Sequence, residues 1–109
     1  MNNLSLGDQL KLALACGYEG AYMVKDVKES AVLVPEQGIF NPTSPDTLMR
    51  LMFNLKIDVE WVELDEVGRG AMQCQVYRRL TLKRFLKHCR TPEEIADAII
   101  ECSLAVINE

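Results

Sequence analysis

The chain is predicted to fold as a single α+β domain over residues 1–109, with an antiparallel sheet of about four strands covered by helices. Three observations lead there. The length of 109 residues suits one core, and two cores would leave each half near the lower limit for folding alone. Apolar residues make up 49 % and charged residues 26 %, the balance of a globular chain. Helical and strand periodicities alternate in the order α-ββ-α-ββ-α-α, with no repeat and no linker between them.

The first helix is expected from Leu6 to Cys16. Ser5 and Asp8 form an S-x-x-D cap, Leu6, Leu10, Ala13 and Leu14 recur at helical spacing, and Gly17 supplies the stop. Tyr22-Met23-Val24 and Ala31-Val32-Leu33-Val34 are β-prone runs that can pair around residues 25–30, and Pro35 ends the second. Asn41-Pro42 marks a turn. Ser44 is then a good N-cap, with Pro45 at the first helical position and Asp46 favoured by the helix dipole. Leu48, Leu51, Met52 and Leu55 complete an amphipathic stripe, so the second helix is expected from Pro45 to Leu55.

Ile57, Val59 and Trp61 alternate with Asp58 and Glu60, as in a half-buried strand. The phase slips at Trp61-Val62, which calls for a bulge or for burial on both faces. Met72, Cys74 and Val76 alternate with Gln73, Gln75 and Tyr77 beyond the Gly68-Arg69-Gly70 turn. A hairpin of about 57–66 with 71–78 is expected. Residues 80–89 fit two readings. Leu82, Phe85, Leu86 and Cys89 suit a short helix, whereas Leu80-Thr81-Leu82 alternates like a continuing strand. Thr91-Pro92-Glu93-Glu94 opens a last helix running to about Ile107. Its apolar positions, Ile95, Ile99, Cys102 and Val106 widened by Ile100, Leu104 and Ile107, exceed one face. Such a helix is either sandwiched or packed on another subunit, so Ile100, Leu104 and Ile107 are candidate residues of a homodimer interface.

The four cysteines show no C-x-x-C spacing, and the one histidine, His88, adjoins Cys89. They read as small buried hydrophobes; neither a metal nor a cofactor is expected. No nucleotide-binding, nucleophile-elbow or zinc-protease motif is present, and a non-enzymatic role is expected. A small enzyme using Trp61, Tyr77 and His88 ranks last. No apolar run approaches the ~20 residues of a spanning helix. The first twenty residues do not read as a signal peptide, so a cytoplasmic, reducing location is expected.

The net charge is −4, but the charges are segregated. Arg78, Arg79, Lys83, Arg84, Lys87 and Arg90 are half of the twelve basic residues and lie within 78–90, where no acid occurs. Asp58, Glu60, Glu63, Asp65 and Glu66 lie within 57–66 without a base. On a helix, Arg79, Lys83, Lys87 and Arg90 would share one face and form a partner-binding site for phosphates or an acidic protein. The plainer alternatives are a solvated face, or one paired with the acidic strand inside the fold.

The segment Phe40-Asn41-Pro42-Thr43, the helix after it, a Trp-bearing strand and hairpin, and the closing apolar helix together resemble the phage ABA sandwich domain family. These are small proteins of tailed phages and prophages with no established activity. The resemblance covers residues 39–107. It implies an α/β/α layered fold and a phage or prophage accessory protein in the bacterial host cytoplasm. That protein would act by binding a host or phage protein; one concrete version inhibits a host defence system. Phe40 would then plug the core, and Asn41-Pro42 would set the approach of the second helix. The alternative function is a nucleic-acid-associated regulator using 78–90.

Overall fold

The computed structural model describes residues 4–25, 30–63, 70–78 and 83–108. Among the described residues lie three helices and two three-stranded antiparallel sheets, which is an α+β architecture. The single sheet of about four strands is thus replaced by two separate sheets.

Helix α1 spans Leu6–Ala15, and the Ser5 hydroxyl accepts from the Asp8 amide at 3.1 Å. Its end is a Schellman turn. Gly17 takes φ 95°, its amide donates to Leu14, and the Tyr18 amide donates to Ala13. Strands β1 (Tyr22–Lys25) and β2 (Ser30–Val34) pair antiparallel with Tyr22 opposite Leu33, the hairpin expected from sequence. Pro35 and Glu36 then turn the chain. Glu36 sits at φ 68°, and the Gln37 amide donates to the Val34 carbonyl at 3.1 Å. A two-residue strand β3 (Gly38–Ile39) follows, which no periodicity signals.

Phe40 is buried and meets the Tyr18 ring edge to face at 6.4 Å. The Asn41 side-chain oxygen accepts from both the amide and the hydroxyl of Thr43, and the Asn41 backbone carbonyl accepts from the Thr47 hydroxyl at 2.8 Å. This knot sets the start of α2 (Pro45–Leu55), where Ser44 accepts from the Thr47 amide. Helix α2 ends at Lys56 in the left-handed conformation, and the Ile57 amide reaches back to Met52.

Strand β4 (Asp58–Glu63) pairs with β5 (Gly70–Arg78), and β5 pairs with β6 (Lys83–Cys89). The β4–β5 ladder runs unbroken from Asp58 opposite Gln75 to Glu63 opposite Gly70, so no bulge occurs at Trp61-Val62. Helix α3 spans Pro92–Ile107. The Thr91 hydroxyl donates to the Glu94 carboxylate, which also accepts from the Arg90 amide, so Thr91 makes no side-chain cap bond to the helix.

The helices form the middle of the molecule. Helix α1 lies on β1 and β2, α3 lies on β5 and β6, and all three helices touch one another. This β/α/β order corrects the α/β/α layering that the resemblance implies. It also explains the surplus of apolar residues on α3, because opposite sides of that helix meet a sheet and two helices. Ile100 is 0 % exposed, and Leu104 and Ile107 pack against the same core. The homodimer reading of Ile100 is therefore corrected: the residue is sandwiched inside the fold and presents no surface to a second subunit.

Candidate functional site

The most strongly patterned surface is the sheet β4-β5-β6. Its two edge strands carry opposite charge. Strand β4 holds Asp58, Glu60 and Glu63 and no base; β6 holds Lys83, Arg84 and Lys87 and no acid. Strand β5 lies between them, so the two edges are two interstrand spacings apart, about 10 Å. The two charged runs are therefore separate strands, held apart by β5.

Residues 83–89 resolve the ambiguity of the basic segment as strand, in register from Lys83 opposite Arg78 to Cys89 opposite Met72. The four-residue helical face is corrected accordingly. Arg79 lies outside the described residues. Lys83 opens β6, and Arg90 follows it and is exposed. Lys87 lies opposite Cys74 on the side facing α3, and its ammonium pairs with the Glu101 carboxylate at 3.2 Å. Sequence reasoning missed this ion pair, because residues 87 and 101 meet only when α3 folds back over the sheet.

The other side of this sheet is polar. Glu60 accepts from the Gln75 amide at 3.1 Å and the Gln73 amide at 3.5 Å, and the His88 Nε2 lies 3.2 Å from the Gln73 carbonyl. Gln73 is only 7 % exposed within this network. Its alternation with Cys74 and Gln75 was the signal available in sequence. His88 is thus exposed and engaged with the Gln73 side-chain amide. Trp61 lies on β4 and remains 58 % exposed, so it is an edge residue rather than a core anchor.

Beneath the sheet, the thiols of Cys74 and Cys102 lie 3.6 Å apart, and the Cys89 thiol donates to the Glu94 carbonyl. Donation to Cys102 and burial push the Cys74 thiol up, and burial does the same for Cys89. All four cysteines are buried and free. The bond from Cys74 lowers the Cys102 thiol in turn. Buried thiols bonded in this way serve as packing groups. Among the described residues no cluster of three His, Cys, Asp or Glu is arranged to hold a metal.

A cleft of about 240 Å³ opens beside α2, lined by Tyr18, Ile39, Phe40, Ser44, Asp46 and Thr47 among others. Its polar groups bond to one another. The Tyr18 hydroxyl donates to Asp46 at 3.0 Å, and Arg50 donates to the same oxygen while lying over the Tyr18 ring at 5.2 Å. Those two bonds, Arg50 first, hold the Asp46 carboxyl below its usual range. The arrangement braces the start of α2 against the end of α1 and places no nucleophile next to a base.

Among the described residues no helix is long and apolar enough to cross a membrane. A scan against protein-family models, a search of curated proteins and a search of solved structures each return no match to this chain.

Proposed function

We propose that the chain is a non-enzymatic accessory protein that works by protein binding, and that it takes an extended acidic segment of its partner along β6. The carrying observation is that β6 is both basic and outermost in its sheet. Alternate residues of an edge strand turn their N–H and C=O groups outward, ready for a further strand. The bases then select an acidic sequence. The acidic β4 edge, about 10 Å away, opposes a long phosphate backbone and favours a protein over nucleic acid. A phage or prophage setting, with a host or phage protein as partner, belongs to the same proposal and rests on the Phe40-Asn41-Pro42-Thr43 segment.

Titration with a labelled oligoglutamate peptide and, separately, with a DNA oligonucleotide tests this reading. The peptide should bind in a salt-sensitive way, and Lys83→Glu with Arg90→Glu should abolish the binding. A chain that binds the oligonucleotide and ignores the peptide refutes it.

A further inference from the structure

We infer that the acidic strand fitting the β6 edge is β4 of a second copy of this chain, in a head-to-tail contact that continues the sheet from one molecule to the next. The inference rests on the reading of β6 as a docking edge and names its occupant.

Four observations converge. Among the described residues no strand lies beyond β4 or beyond β6, so each molecule offers one open edge of either charge. The edges match in length, six residues in β4 and seven in β6. Like charges run along each edge. Pairing β4 with another β4, or β6 with another β6, therefore sets like charges opposite one another, while β4 with β6 sets acids against bases. Trp61, exposed on β4, gives the seam a large aromatic anchor of the kind that dominates protein interfaces.

An inward-facing charge is one of the devices that keep edge strands from pairing. Lys87 is such a residue, but its charge is already met by Glu101 of the same molecule. The other bases in the sequence of this edge are Lys83 and Arg84, with Arg90 just beyond its end. The contact joins two different surfaces, so a two-fold axis does not close it; it builds short chains or rings.

Sedimentation of the full chain across concentration, at low and at high salt, is the first test. Self-association should weaken roughly tenfold when salt rises past the point where the Debye length falls below about 5 Å. Two variants then locate the contact. Asp58→Lys spoils the β4 edge and Lys83→Glu spoils the β6 edge, and each alone should self-associate roughly tenfold more weakly. Mixed in equal amounts they should associate more strongly than either alone, because each retains the edge the other lacks. Circular dichroism confirms that both variants fold, and the salt series on the unaltered chain needs no variant. A monomer at all concentrations in low salt overturns the inference. So does an oligomer that both variants leave intact. If the chain stays monomeric yet binds the oligoglutamate peptide, the inference fails while the reading of β6 stands; if neither occurs, both fail.

Discussion

The two halves of the molecule are held in different ways. In the first, residues 4–57, each element is closed by groups a few positions away. Ser5 caps α1, Gly17 ends it, and Asn41, Ser44 and Thr47 knot the start of α2. Its sheet is small, with strands of four, five and two residues, and apolar side chains such as Phe53, 82 % exposed, remain on its outside. Its two helices are also tied to each other, Tyr18 to Asp46 and Asn54 to the Ala15 carbonyl. In the second half the ties run between strands and from sheet to helix. Cys74 meets Cys102, Lys87 meets Glu101, and Glu60 meets Gln73 and Gln75. Its last helix lacks the side-chain cap bond that both helices of the first half possess. Local hydrogen bonds can therefore fix an element's ends, while cross-element contacts fix its place. Only the second half leaves two long, oppositely charged edges.

The strongest test of this contrast is Ile100→Ala, because Ile100 lies in the buried layer shared by the halves. Chemical denaturation should show a loss of about 2–5 kcal/mol, in one transition seen by probes in both halves. Two separate transitions would mean that the halves are independent after all.

Alkaline titration sharpens the comparison next. Burial pushes the Cys16 thiol from 9.0 up to about 11. Its folded value is raised, so the stability it contributes is complete below pH 9.0 and is lost as pH climbs through about 11. The loss should be about 1–2 kcal/mol, and Cys16→Ala should flatten the decline over that window. An equally steep decline in the variant would show that Cys16 is not its source.

The caps give a smaller, paired effect. Ser44→Ala should cost about 1 kcal/mol in thermal or chemical unfolding. Thr91→Ala should cost less than about half of that, because Thr91 has no backbone cap bond to lose. Equal costs would contradict the difference drawn between the helix starts. One further effect is a gain. Lys56 holds a left-handed conformation at φ 58°, so Lys56→Gly should stabilise by about 0.5–1 kcal/mol in the same assay. A loss would show that the Lys56 side chain contributes more than its backbone strain costs.

Much of the fold was legible residue by residue. Ser44-Pro45 marked the first turn of α2, Gly17 ended α1, and the alternation around Cys74 marked β5. The candidate site was legible only as composition. The basic run is evident, but its periodicity fits helix and strand alike, and neither Glu101 nor the Glu60–Gln73–His88 network is signalled. Leu82, Phe85, Leu86 and Cys89 satisfy the helical period, yet residues 83–89 lie along the free edge of β5 and complete its backbone bonds.

The sequence by itself determined where helices start and stop, that β1 pairs with β2 and β4 with β5, and that opposite charges gather in different segments. Those features depend on side chains within a few residues of each backbone group they satisfy. Tertiary structure decided the rest: the split into two sheets, the burial of α3 between a sheet and two helices, and the conversion of 83–89 into an edge strand. Each of these is settled by surfaces and hydrogen-bonding edges supplied from distant parts of the chain, which local propensity does not encode.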